Sequence, residues 1–239
     1  MRSPKPREGM FLMSLAALLL GVTPSAGGKS GARSYAPHID PAQFGTKVDN
    51  PFFPLVPGTR FGFHETGDGK TFINEVTVLP ETKVIMGVTC VVVHDVVKDG
   101  ETIKEDTYDW YAQDKKGNVW YFGEDTKEFL PTGGTKTEGS WEAGVGKNQP
   151  GILMPGHPAP GKPFRQEYGP GHAEDMGQVI ATSESVTVPY GSFTGCVRTK
   201  EWSLLEPGTD KKWYARGVGF IREEAANKAI VTLVSVTKP

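Results

Sequence analysis

Short runs of alternating apolar and polar residues follow one another from position 59 to the end of the chain. This period of two residues is typical of β-strands that bury one face. Turn signals such as Gly67-Asp68-Gly69 and Gly117-Asn118 separate the runs. An apolar period of 3.6 residues persists nowhere for three helical turns. The predicted strands are TRFGFHE, TFINEVTVL, TKVIMG, VTCVVVHDVV, DTYDWYA, NVWYFGE, ESVTVPY, CVRTKEWSLL, KKWYA, GFIREEA and AIVTLVSVT.

About ten short strands separated by such turns predict an all-β protein, either an antiparallel barrel or a strongly curved sheet. Residues 51–239 form one predicted β-rich domain, and 28–50 form a polar linker or arm with one turn of helix at DPAQF. The segment 131–178 breaks the rhythm with 11 glycines and 7 prolines. It predicts a long loop insertion, with a short helix near 173–178.

The chain contains a weak internal sequence repeat. GVTCVVVHD precedes DWYAQDKKGNVWYFGED, and GSFTGCVRTKEW precedes KWYARGVGFIREE. The spacing from cysteine to tryptophan is 20 residues in one copy and 17 in the other. The pattern predicts a sheet built from two related halves.

The first 27 residues predict a signal peptide. Arg2, Lys5 and Arg7 precede the apolar run 10–22, and small residues follow it. This is the order of a secretory leader, and the run is shorter than a membrane span requires. We therefore expect an exported protein, periplasmic or extracellular, with no transmembrane segment in the mature chain.

The charge balance bears on partners. Removal of residues 1–27 changes the formal net charge from −2 to −4. A mildly acidic protein is a poor partner for nucleic acid. Cys90 and Cys196 both fall in predicted strands, so in an oxidising compartment they are a disulfide candidate. The alternative is two buried free thiols.

Three segments resemble a group of exported bacterial proteins that are known only as domains of unknown function. They are NPFFPLVPGTRF, YDWYAQDKKGNVWYFGED, and VPYGSFTGCVRTKEW together with WYARGVGF. The resemblance covers most of the mature chain. It implies an extracytoplasmic β-rich fold, distantly like curved-sheet envelope proteins that hold lipid, and it implies no catalytic residues.

The hairpin DTYDWYAQDKKGNVWYFGED offers a candidate cation site. With Asp114–Gly117 as its loop, Asp106 would lie opposite Asp125. Two carboxylates that face each other repel unless a cation, a basic side chain or water intervenes. Ca²⁺, which prefers oxygen ligands, is one candidate, and Lys127 or water is the alternative.

A second acidic cluster lies in GPGHAEDMGQ, where His172, Glu174 and Asp175 are close in sequence. Such a set can bind a transition metal, and a solvated loop is the alternative. No other cofactor is expected. The same residues, with Glu142 and Arg165, are the candidates for an exported hydrolase. No Gly-x-Ser-x-Gly nucleophile motif is present, and no catalytic residue is assigned.

The favoured interpretation is a non-catalytic binding or envelope-associated protein. A curved sheet offers a concave face for an apolar or amphipathic, lipid-like ligand. Strand aromatics would line this pocket, namely Trp110, Tyr121, Trp202 and Trp213. The alternatives are the hydrolase and the cation-binding protein, and the oligomeric state stays open.

Overall fold

The computed structural model describes residues 35–239, so the predicted signal peptide and the first part of the predicted linker lie outside the described residues. A 3₁₀ turn at Pro41–Gln43 confirms the helical turn expected at DPAQF. Seventeen strands follow it: β1 Val48–Asn50, β2 Phe53–Leu55, β3 Arg60–Gly67, β4 Lys70–Ile85, β5 Val88–Asp99, β6 Thr102–Gln113, β7 Val119–Phe129, β8 Thr135–Lys136, β9 Trp141–Glu142, β10 Gln149–Met154, β11 Phe164–Arg165, β12 Glu167–Tyr168, β13 Asp175–Val188, β14 Gly191–Ser203, β15 Asp210–Ala215, β16 Gly219–Glu224 and β17 Ile230–Thr237.

The predicted fold class is confirmed. Strands make up 63% of the described residues, and 13 of them form a nearly closed antiparallel barrel. Their order around the sheet is β11-β13-β14-β15-β16-β17-β3-β4-β5-β6-β7-β10-β12, with β8 and β9 paired to β7. Within residues 35–239, no helix is long and apolar enough to cross a membrane.

The segment 131–178 differs from the expected loop insertion. It supplies β8 to β12 and the start of β13, and no helix forms at 173–178. Strands β11 and β12 stand at the two ends of the sheet order and are separated by Gln166 alone. The segment therefore brings the two edges of the sheet together, which removes exposed strand edges that would otherwise pair with other chains.

The two halves predicted from the internal sequence repeat are visible in the sheet register. Val91 pairs with Tyr111 in one half, and Val197 pairs with Tyr214 in the other. Each half has a bulge next to the tryptophan of its Trp-Tyr-Ala sequence, between Trp110 and Tyr111 and between Trp213 and Tyr214. The strands β5, β6 and β7 are therefore equivalent to β14, β15 and β16.

Cys90 and Cys196 occupy corresponding strands of the two halves, and both are free and completely buried. The free-thiol alternative therefore holds, and the two cysteines are not joined. Burial raises the pKa of the Cys90 thiol to about 12. Each thiol acts as a small apolar group in the packed sheet.

The interior of the barrel is apolar on one side and polar on the other. The apolar side is built around Phe53, whose ring lies 5.3 Å from that of Tyr111 and 6.4 Å from that of Tyr214. One aromatic residue of β2 thus contacts both halves. The polar side contains eight carboxyl side chains that are at most 6% exposed: Glu65, Asp95, Glu105, Asp109, Glu124, Glu167, Glu201 and Glu223.

Candidate functional site

A groove of about 1270 Å³ lies where the N-terminal arm crosses the barrel. Its walls are the arm 45–52, the β6–β7 turn 113–117 and the loop 156–159. Parts of β13 and β14 and the side chain of Arg216 complete it. We call this feature the mouth groove. Its volume exceeds that of an ordinary small-molecule pocket, and it is open to solvent.

Asn50 fixes the geometry of the groove. Its side chain is 1% exposed, and its Nδ2 donates to the carbonyl oxygens of Gly117, at 2.8 Å, and Pro155, at 3.1 Å. Its Oδ1 accepts from the Phe52 amide at 2.8 Å. Its own amide donates to Gln113 Oε1 at 2.7 Å. One buried amide side chain thus joins the three walls, and full satisfaction of such a group makes the arrangement rigid.

The loop at Gly156 packs directly against the β6–β7 turn. The Gly156 amide donates to Asn118 Oδ1 at 2.9 Å. A Cβ atom at position 156 would lie 2.1 Å from the carbonyl oxygen of Lys116. Only glycine allows this approach, so the residue type at 156 is required by the shape of the groove.

The segment after β15 closes the other side of the groove. The Gly217 amide donates to the Pro51 carbonyl oxygen at 2.7 Å. The Arg216 guanidinium lies 4.7 Å from the centre of the Phe52 ring. Parts of all three segments that carry the family resemblance therefore meet at the mouth groove: the NPFF entry, the β6–β7 turn and the Trp-Tyr-Ala-Arg-Gly sequence.

The mouth groove carries excess positive charge. Lys47, Lys115, Lys116 and Arg216 line it, and within residues 35–239 none of them has a carboxylate partner. The two groove carboxylates are already engaged. Asp49 accepts from Gln113 Nε2 at 2.6 Å. Asp114 accepts from the Lys116 amide, from Asn118 and from the Trp120 indole. The four cations outnumber the two carboxylates of the groove, and this excess of positive charge attracts anions.

An apolar cavity of about 40 Å³ lies inside the barrel beside the groove. It is lined mainly by the aromatic and aliphatic residues Phe53, Leu55, Phe61, Phe63, Val76 and Phe220. A pocket for a drug-sized ligand measures several hundred Å³. The cavity as it stands accommodates a group of only a few atoms.

The four aromatic residues predicted to line a ligand pocket are not brought together in one cavity. Tyr121 is inside the barrel, stacked on Tyr111 at 4.9 Å. Trp110, next to Tyr111 in the strand, points to the opposite face, where Lys83 Nζ lies 3.3 Å from its ring centre. Cationic side chains also cover the other two rings: Arg198 and Arg222 lie over Trp213, and Lys200 over Trp202.

The predicted opposition of Asp106 and Asp125 is wrong. Asp106 pairs in register with Lys127, and Asp125 pairs with Tyr108. The cause is a turn one residue longer than expected, with Gln113 opposite Val119, and the bulge beside Trp110. Asp106 Oδ1 forms a hydrogen bond with His94 Nε2 at 2.9 Å.

The second predicted cluster has local partners. Glu174 accepts from Arg165 Nη1 at 3.3 Å and from the Gly171 amide at 3.0 Å. The His172 ring packs against Gly169. Glu142 pairs instead with Lys83 at 2.7 Å. In the part of the chain that the structure describes, no group of three or more His, Cys, Asp or Glu side chains could hold a metal ion.

Sequence reasoning missed the buried carboxyl cluster. Burial raises the pKa of Glu65 to about 7 and that of Asp109 to about 7. Burial likewise raises the pKa of Glu105 to about 8 and that of Glu223 to about 8. A signal was present on β6, where Glu105, Thr107 and Asp109 alternate in phase with buried Tyr111.

Lys212 is a buried cation within this cluster. Its Nζ lies 3.0 Å from Glu201 Oε2 and 3.8 Å from Glu223 Oε2. Burial lowers the pKa of the Lys212 ammonium, but the two carboxylates more than offset this effect and hold the pKa well above its usual value. Lys212 therefore compensates charge in the second half of the barrel.

Comparisons with known proteins give one distant likeness in structure. No protein-family model matches the chain, and no curated protein matches it. A solved structure from Parabacteroides distasonis, titled a "putative lipoprotein", aligns with a TM-score of 0.43 and 14% sequence identity. The alignment covers 79% of this chain and 99% of that one.

Proposed function

We propose that this is an exported, envelope-associated binding protein that holds an anionic ligand in the mouth groove without chemical conversion. The observation that carries the proposal is the set of four unpaired cations around a rigid groove: Lys47, Lys115, Lys116 and Arg216. The predicted signal peptide supports export. The predicted mature chain has a net negative charge, so the positive charge of the groove is a local feature that differs from the rest of the protein.

The ligand chemistry follows from the side chains. Lysine ammonium groups and an arginine fork bind carboxylate and phosphate oxygens. Phe52 is buried, and its ring packs against the Arg216 guanidinium at the edge of the groove. The ligand class is therefore a polyanion. The 40 Å³ cavity does not hold an acyl chain as it stands, so a purely apolar ligand has less support than an anionic one.

Isothermal titration calorimetry with citrate, inorganic phosphate and polygalacturonate tests the proposal. We expect binding of at least one of these anions, weaker at high ionic strength. The double variant Lys115→Gln/Lys116→Gln should lose about tenfold in affinity, since each exposed ion pair contributes up to about 1 kcal/mol.

The matched control is Lys70→Gln/Lys147→Gln. Both of these lysines are exposed, and neither lines the groove. The control removes the same charge, so a loss shared by both double variants would show a nonspecific charge effect and contradict the assignment. Absence of binding for all three anions would also contradict it.

A further inference from the structure

The buried carboxyl cluster contains two carboxyl side chains that face each other across neighbouring strands. In the sheet register, Asp109 of β6 lies directly opposite Glu124 of β7. The equivalent pair in the other half of the barrel is Lys212 opposite Glu223. One half thus places a cation and a carboxylate together where the other places two carboxyls.

The Asp109–Glu124 pair is buried and incompletely paired. Asp109 is 0% exposed and Glu124 is 4% exposed. Asp109 Oδ1 accepts from the Tyr121 hydroxyl at 2.6 Å. Asp109 Oδ2 and Glu124 Oε2 are buried and have no hydrogen-bond partner within residues 35–239. Two ionised carboxylates in this position would repel each other without solvent screening.

The groups that face the pair supply no positive charge to it. They are carboxyls and phenols from β5, β6, β7 and β12, namely Asp95, Glu105, Tyr111, Tyr121 and Glu167. Lys212 is occupied by Glu201 and Glu223. The phenol of Tyr121 donates to Asp109 but carries no charge.

We propose that Asp109 and Glu124 share a proton, and that this proton makes the β6–β7 hairpin a pH-sensitive latch. With the proton in place, the two carboxyls bind each other, and the hairpin stays closed in the dry barrel. When the proton is lost, two adjacent carboxylates remain, and the hairpin opens to admit water. This proposal does not depend on the ligand of the mouth groove.

The direction of the pH effect follows from linkage. Burial raises the pKa of both carboxyls above their unfolded values. The folded state therefore binds more protons than the unfolded state between about pH 4, where free carboxyls titrate, and pH 7, so stability decreases as the pH rises through this range. Each retained proton makes the unfolding equilibrium constant rise by about tenfold per pH unit.

Urea unfolding across this pH range tests the latch. The slope of the free energy of unfolding against pH gives the number of protons released on unfolding. We expect this number to be smaller by about one in Asp109→Asn and in Glu124→Gln than in the wild-type protein. In Asp109→Asn the amide Oδ1 can still accept from Tyr121, and the new Nδ2 can donate to Glu124. Glu81→Gln is the control, because Glu81 is exposed. Amide hydrogen exchange of β6 and β7, corrected for intrinsic rates, should accelerate above pH 7 in the wild-type protein but not in Asp109→Asn.

Two results would overturn the latch. One is a wild-type stability that is flat or increases from pH 5 to pH 8. The other is an unchanged proton slope in both Asp109→Asn and Glu124→Gln, which would place the titrating proton elsewhere in the cluster. If one variant fails to fold, the other variant and the hydrogen exchange of the wild-type protein still decide the question.

Discussion

Glu65 provides a quantitative test of the polar barrel interior. It lies on β3, is 2% exposed, and its Oε2 has no hydrogen-bond partner in the described part of the chain. Burial raises its pKa from 4.5 to about 7. The substitution Glu65→Gln keeps the shape of the side chain and removes the titration.

The magnitude follows from the pKa shift. One pKa unit corresponds to about 1.4 kcal/mol, so the ionised Glu65 lowers the free energy of unfolding by up to about 3 kcal/mol. The raised pKa means that this loss is absent below about pH 4 and complete above about pH 7. Glu65→Gln should therefore stabilise the protein by about 1 to 3 kcal/mol at pH 8 and change little at pH 4.

Urea unfolding at pH 4, 6 and 8 measures this effect, with Glu81→Gln as the exposed control. The difference in the free energy of unfolding between variant and wild-type protein should increase with pH for Glu65→Gln and stay near zero for Glu81→Gln. A loss of stability that is the same at all three pH values would refute the reasoning, because it would show that the Glu65 carboxylate is compensated in the folded protein.

Two further predictions concern Lys212 and the cysteines. Lys212→Met leaves Glu201 and Glu223 without their cation, so the free energy of unfolding should fall by about 3 to 5 kcal/mol at pH 8. It should fall less at pH 5, where Glu223 is protonated because burial raises its pKa to about 8. An equal loss of stability at both pH values in urea unfolding would contradict this. Cys90 and Cys196 are free and buried, so a thiol reagent should react with neither in the folded protein and with both in urea. Rapid reaction of the native protein, or fewer than two thiols after unfolding without reductant, would contradict the structure.

The strand pattern was predictable because each long strand buries one face. The eleven predicted runs all correspond to the ten strands β3 to β7 and β13 to β17, because two of the runs, TFINEVTVL and TKVIMG, are parts of one strand, β4. The register of β4 shifts between Val78 and Thr82, around Pro80. Proline lacks the amide hydrogen that the ladder requires, so it marked the end of a run in the sequence and a bulge in the structure.

The closing segment was not predictable from local patterns. The strands β8, β9, β11 and β12 have two residues each and are held by pairing with β7, β10 and β13. Such short strands carry no measurable alternation, and their glycines and prolines favour a loop prediction. Gly151, for example, lies within β10 and passes close to the Gln166 backbone, where a Cβ would be 2.3 Å from its carbonyl oxygen.

The site was predictable only where a motif fixed the chain locally. The NPFF entry and the β6–β7 turn were visible as sequence features, but their meeting through Asn50 joins residues more than 60 positions apart. The burial of the carboxyl side chains was not predicted from the sequence. A charged residue in a strand is normally assigned to the solvent face, because burial of charge is unfavourable. On β7, the bulge after Tyr121 decides which face Glu124 occupies, and sequence alone does not reveal this bulge.

The mouth groove and the buried carboxyl pair lie on the same hairpin. The turn 113–117 forms one wall of the groove, and Asp109 and Glu124 lie further along the two strands that lead into it. Trp110 and Gly123 pair directly between these two regions, next to the bulge. A Cβ at Gly123 would lie 2.2 Å from the Trp141 carbonyl oxygen, so the hairpin has little room to move there while the barrel is closed. If the proposed latch opens, separation of the carboxyls would move the two strands that lead into the turn with Lys115 and Lys116, so we expect the charge state of the barrel interior to affect this wall of the groove.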